Sequence, residues 1–366
     1  MNEESIAAVR AWLREQELDA CLITQPHNRS YLSSWLEDDA EAAWLLVSRE
    51  QCLLITTPLY REVAEKEAAG CQVLVPERRE FVEAVVAQAR QGDWRRLGFE
   101  ADALSYSYYA KLSHGGEGQF TLQPLASTIV DRLRQVKSGQ ELERVKKAVE
   151  ITDETFAHLC RWLRPGLTER EVQWEIIRTM ITLGADGPAF EPIVASGPNG
   201  SMPHARASGR SIEAGELITI DMGARYQGYC ADMTRTVCLG EPREARMRLL
   251  YEAVLEAMRT CERGLHAGLS GRQADSLARD VLASYGLAEY YIHSTGHGVG
   301  LEVHEEPLLS QRAPEDALLP AGAVVTVEPG VYIPGWGGLR IEDSVLVLED
   351  RAEVLTRSPL DLIIPQ

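Results

Sequence analysis

"ELITIDMGARYQGYCADMTRTVCLG", residues 216 to 240, runs apolar, turns at a glycine and returns as a second strand-like run. Two β-branched and apolar arms joined through a short glycine-containing turn read as a β-hairpin. Asp221 ends the run "LITI" and Asp232 lies on the returning arm. Their midpoint falls in the turn "YQG", so the spacing predicts that the two aspartates face each other across the strands. A second hairpin of the same design, "AVVTVEPGVYIPGWGGLRIEDSVLVLE" at 323 to 349, places Glu328 and Glu342 either side of Gly335. Cross-strand neighbours hold their Cβ atoms about 4.5–5.5 Å apart, so like charges placed there repel unless a cation lies between them. The apolar flanks imply buried strands, where an unpaired carboxylate is costly. Alternation also sets Thr219, Thr234 and Thr326 beside Asp221, Asp232 and Glu328, supplying hydroxyls to steady the acids.

A histidine source lies between the hairpins. "STGHGVGLEVHEEP", 294 to 307, carries His297 and His304; one completes the site and the other serves the substrate. Four carboxylates and one imidazole form an oxygen-rich set suited to hard or borderline divalent ions, manganese or cobalt before a thiolate-bound zinc. Four negative charges balance two such ions, an arrangement suited to metal-assisted hydrolysis.

Around the hairpins, "KSGQELERVKKAVEITDETFAHLCRWL" (137 to 163) begins with the S-x-x-E spacing of a capping box at Ser138 and Glu141 and continues as a helix. Further helices are predicted at 168–184, 242–263 and 271–285. Long helices mixed with antiparallel strands define an α+β unit. Upstream the pattern changes. Short apolar runs at 18–24, 42–48, 52–57, 71–76 and 97–101 alternate with helical stretches, predicting an α/β unit with a parallel or mixed sheet. The chain is thus divided into residues 1–130 and 131–366. No Gly-x-Gly-x-x-Gly or Walker-type loop follows any strand, so a nucleotide site has no support.

The 366 residues carry a net charge of −18 and only short basic runs, which argues against nucleic acid as a partner. Nothing spans eighteen apolar residues, and the start does not resemble a secretory signal, so no membrane role is expected. Seven scattered cysteines with no Cys-x-x-Cys point to a reducing, cytoplasmic setting.

Five stretches together, "PHA" (203 to 205), "DMGARYQGYCADMTRT" (221 to 236), "HSTGHGVGLEVHEEP" (293 to 307), "VEPGVYI" (327 to 333) and "GGLRIED" (337 to 343), resemble the proline-peptidase branch of the pita-bread metallopeptidases. That family contains aminopeptidase P, prolidase and methionine aminopeptidase. The resemblance covers most of the chain and implies an α/β amino-terminal creatinase-like domain followed by an α+β pita-bread catalytic domain. It makes Asp221, Asp232, His297, Glu328 and Glu342 ligands of two divalent ions, manganese first and cobalt or zinc as alternatives. Asp232 and Glu342 would bridge the pair. His204 and His304 would act on the scissile peptide, with Glu328 as proton carrier as well as ligand, while His293 and Arg340 would contact substrate. Arg340 either anchors a substrate carboxylate or balances the site's charge. The implied substrates are proline-containing peptides, and relatives of this kind are commonly homodimers.

The intact ligand set argues against a metal-free creatinase and against a non-catalytic binding protein, and the added amino-terminal domain argues against methionine aminopeptidase. Several prolidases have an arginine after "HEEP" where this chain has Leu308. That favours an Xaa-Pro aminopeptidase with room beyond proline over an Xaa-Pro dipeptidase, unless Arg340 grips the dipeptide.

Overall fold

The computed structural model describes residues 2–77, 80–126 and 128–365. The chain forms two compact units, Met1–Arg134 and Gln135–Gln366.

In the first unit, five predicted apolar runs become strands Ala20–Ile23, Ala43–Ser48, Cys52–Thr56, Gln72–Leu74 and Arg96–Glu100 of one six-stranded sheet. The sheet is mixed: Ala20–Ile23 runs antiparallel to Ala43–Ser48 and parallel to Arg96–Glu100. Thr121–Leu125 forms the edge strand and escapes a hydrophobicity reading because its side chains are exposed or only half-buried. Pro124 is tolerated there because an edge strand has a side that needs no donor. Trp44, Phe81, Val85, Phe99 and Leu112 fill the core on one face. This is the expected α/β unit.

The second unit is the expected α+β unit and uses one plan twice. Helices Gly139–Trp162 and Glu169–Thr182 precede a four-stranded sheet containing Ile193–Ser196, Leu217–Met222 and Met233–Leu239. Helices Ala245–Gly264 and Gly271–Ser284 precede a five-stranded sheet containing Gly296–Gly298, Glu305–Leu309, Val324–Val327 and Asp343–Val347. Each helix pair buries an apolar face in its own core, one around Phe156, Ile176 and Ile220, the other around Val254, Met258 and Val325. The Ser138–Glu141 capping box is present, and Thr168–Glu171 and Ser270–Gln273 repeat the device at two further helix starts. Each such cap contributes about 1 kcal/mol.

The registers correct the sequence reading of the first hairpin and bear out that of the second. Asp221 stands opposite Thr234, not Asp232. The turn is Gln227-Gly228, both at positive φ, one residue beyond the arithmetic midpoint of the aspartates. Asp232 is therefore the diagonal neighbour of Asp221 on the same face, still within reach of a shared ion. Gly223 makes this approach possible, because a Cβ there would lie 1.8 Å from the Ala231 carbonyl oxygen. In the second hairpin, Val327 pairs with Asp343 and Gly330 with Arg340. Glu328 and Glu342 then face each other in the gap between two short ladders.

Gly223→Ala is expected to cost about 1–3 kcal/mol by overpacking against backbone. A fall in Tm of several degrees, read by thermal denaturation, would accompany it. An unchanged Tm would contradict the close approach described at Gly223.

Candidate metal centre

The two hairpins are joined by Thr234, whose carbonyl accepts the Glu342 N–H at 3.0 Å and whose Oγ1 donates to Glu342 Oε2 at 2.6 Å. Buried Arg235 fastens the same junction, donating to the Glu342 carbonyl at 2.6 Å and to Asp343 Oδ1 at 2.7 Å. His297 sits at the centre of Gly296–Gly298, held by its N–H to Thr326 Oγ1 at 3.1 Å. Gly296 lies so close to that neighbour that a Cβ would stand 1.9 Å from the Thr326 carbonyl oxygen. From the helix below, buried Asp275 accepts the Thr295 N–H at 2.9 Å and so fixes the approach to His297.

These constraints bring Asp221, Asp232, His297, Glu328 and Glu342 to the wall of one cavity of about 390 Å³. Ligating atoms of Asp232, His297 and Glu342 all lie within 4.8 Å of one another. His297 Nδ1 lies 3.1 Å from the Gly298 carbonyl, which assigns the proton there and leaves Nε2 facing Glu328 Oε1 at 3.3 Å and Asp232 Oδ2 at 3.7 Å. Asp221 Oδ1, Asp232 Oδ1 and Glu342 Oε1 are buried with no hydrogen-bond partner among the described residues. Buried polar atoms otherwise find partners. Three orphaned carboxylate oxygens beside an imidazole whose Nε2 faces Glu328 and Asp232, and would exchange its proton for a metal, are donors shaped for cations, and the set fits divalent metal.

The electrostatics agree. Burial, then Glu342 and Asp221, push the Asp232 carboxyl well above its ordinary range, and burial followed by Glu328 does the same to Glu342. Asp221 is raised by burial although Arg340 opposes the rise. Glu328 is pulled down to about 2: burial works against ionisation, but the contact with His297 prevails. Without added positive charge the cluster cannot hold four ionised acids comfortably.

The histidines occupy distinct places. His304 stacks obliquely on His297, ring centroids 4.1 Å apart, and burial with the neighbouring imidazole lowers it to about 4, so it is neutral at working pH. His293 Nε2 lies 3.0 Å from the Tyr332 hydroxyl and is lowered by burial. His204 lines the cavity from an exposed position. Arg340 is 4% exposed and its guanidinium is committed inward, to Asp221 Oδ2 at 2.5 Å, the Tyr332 hydroxyl at 2.7 Å and Thr234 Oγ1 at 3.0 Å.

Some expectations shift. Thr219 bonds Thr236, not an acid, and Thr234 serves Glu342 instead of the adjacent Asp232. Of the acids around His304, Glu305 forms a buried ion pair with Lys137 at 2.6 Å. Leu308 is 39% exposed and is not among the residues lining the cavity, so it neither blocks nor opens the site. Tyr332, Asp275 and Arg206 were missed. Tyr332 had a signal: it lies in "VEPGVYI" at even spacing from Glu328.

A buried, carboxylate-rich site on paired hairpins defines a metal-dependent hydrolase. Residues 143–349 match the metallopeptidase family M24 and residues 6–136 the creatinase/prolidase N-terminal domain. The chain belongs to metallopeptidase family M24. It is similar to an Xaa-Pro dipeptidase from Bacillus anthracis, with 39% identity, all of both chains covered and a TM-score of 0.93. It is also similar to an X-Pro aminopeptidase from Thermotoga maritima, at 34% identity over 96% of this chain and 98% of that one, TM-score 0.86. The Xaa-Pro dipeptidase of Pyrococcus furiosus is 35% identical over 99% of this chain and 100% of its own length.

Chelated protein should lose stability as pH rises from the ordinary carboxyl range, about 4, through neutrality and above. Raised carboxyls bind more protons in the native than in the unfolded chain, so their contribution fades as pH climbs through the raised values. Added manganese should remove that decline in Tm. A chelated protein whose Tm rises across this range relative to the metal-loaded form would contradict the assignment.

Proposed function

We propose that this protein hydrolyses the bond between an amino-terminal residue and a following proline in short peptides. The observation that carries the reading is the set of three buried carboxylate oxygens, partnerless among the described residues, beside His297 Nε2, in a cavity that also holds His204, His293 and His304. The names of its full-length relatives support the Xaa-Pro bond as the target. Asp221, Asp232, His297, Glu328 and Glu342 would hold two divalent ions, manganese before cobalt or zinc because the donors are mostly oxygen. When bound, such ions supply an acidified water and a polarised substrate carbonyl.

The remaining work falls to the chain. A prolyl nitrogen carries no N–H, so it offers no donor and must receive a proton as it leaves. Glu328, ionised and facing the cavity, accepts the proton released by the attacking water and passes it to the departing prolyl nitrogen. His304, neutral and free of a charge of its own, donates a hydrogen bond to the tetrahedral oxygen, and His204 serves the departing side from the cavity mouth. His293 is positioned by Tyr332, which Arg340 steadies in turn. Arg340 thereby balances Asp221 and orders the wall; its donors are engaged there and not directed at a substrate carboxylate.

The aminopeptidase reading rests on the exposed position of His204 at the cavity, which leaves a path for chain beyond proline. A dipeptidase reading is favoured by one observation, the unpaired Arg206 discussed below. The family resemblance supports a homodimer. No helix among the described residues is long and apolar enough to cross a membrane.

Cleavage of Xaa-Pro compounds, with matched Xaa-Ala controls left intact, is the expected result with manganese present. Asp232→Asn should lower kcat/KM roughly a hundredfold or more, about 2.7 kcal/mol in the barrier. Turnover near that of the unsubstituted protein would remove Asp232 from the site.

A further inference from the structure

We infer that Arg206 anchors the carboxylate of a peptide that ends at proline, giving this site a preference for dipeptides. The inference rests on the Xaa-Pro reading and names the residue that would set its substrate length.

Two guanidinium groups line the cavity, Arg206 and Arg340. Arg340 is buried, and Asp221, Tyr332 and Thr234 occupy its donors, so no fork remains for an incoming carboxylate. Arg206 is the opposite case. It is exposed at the cavity, and among the described residues it has neither an ion pair nor a hydrogen bond. Arg210, four residues on, pairs with Glu216 through two contacts of 2.6 Å, so a free arginine is not the rule for this segment.

The backbone that carries Arg206 is fixed on both sides. Ala205 is buried and donates its N–H to the Met202 carbonyl at 3.1 Å. Ser208 donates its N–H and hydroxyl to Glu169 Oε2 at 3.0 and 2.6 Å, and Glu169 is itself buried. His204, two residues away, lines the same cavity. The fixed backbone therefore places Arg206 at the wall of the cavity that His204 also lines.

Charge makes the same point. Arg340 is committed to Asp221. Arg206, with no ion pair among the described residues, is the guanidinium of the cavity wall left available to an incoming anion. An arginine fork binds a carboxylate through paired charge-assisted hydrogen bonds, which a carboxamide or a continuing peptide bond cannot form equally well. A dipeptide presents that carboxylate directly on the prolyl ring, and a longer peptide does not.

The test compares kcat/KM on an Xaa-Pro dipeptide with that on the same compound ending in a carboxamide, using manganese-loaded protein. The unsubstituted enzyme should favour the acid about tenfold or more, mainly through KM. Arg206→Met, which keeps the length of the side chain and removes the charge, should bring the acid-to-amide ratio near one, and Arg206→Lys should restore part of it. An acid-to-amide ratio that is the same in Arg206→Met as in the unsubstituted enzyme would overturn the inference alone. Failure of the loaded enzyme to cleave any Xaa-Pro compound would overturn the parent reading, and this one with it.

Discussion

Mutual repulsion among four carboxylates in one buried pocket is the constraint that the rest of the second unit accommodates. Two unit charges 4 Å apart interact by about 4 kcal/mol at an effective dielectric constant of 20. A few such pairs rival the whole stability of a domain, about 5–15 kcal/mol. Arg340 against Asp221 and His297 against Glu328 offset part of this. Asp232 has only a more distant share of His297, at 3.7 Å, and Glu342 has the Thr234 hydroxyl in place of a cation; both carboxyls are raised well above the ordinary range. Divalent ions are the missing charge.

The fold brings the acids together by repeating a simple device. Each helix pair covers a sheet, and each sheet offers one hairpin whose acids lie at or beside the end of its ladder. Thr234 and Arg235 then tie one hairpin to the backbone of the other at Glu342. Gly223 and Gly296 let backbones approach more closely than any side chain would permit. Position of these acids and of His297 is thus set by main-chain contacts in regular structure, while His204 and Arg206 sit on the irregular 202–206 stretch of the cavity wall.

Much of this was legible in the sequence because burial leaves a pattern. Apolar runs marked the strands, Ser138 and Glu141 marked a helix start, and acids ending apolar runs marked the site. Register was misread in the first hairpin because a midpoint assumes that the acids are exact partners, whereas the Gln227-Gly228 turn sets the pairing one residue further on. The edge strand Thr121–Leu125 left no apolar signal. Leu308 drew attention through comparison of motifs, but its exposed side chain shows that a position adjacent to a motif need not face the site. Asp275 is placed against the Thr295 N–H, and Arg206 at the cavity wall, by tertiary structure that no local period encodes.

The account turns on metal, and a stoichiometric titration tests it most directly. Protein stripped of metal, with elemental analysis as the check, would be titrated with manganese while Xaa-Pro hydrolysis is followed. Activity should start from near zero and saturate at two ions per chain. Full activity in the stripped protein, or saturation with no ion bound at the Asp232 and Glu342 carboxylates, would contradict it.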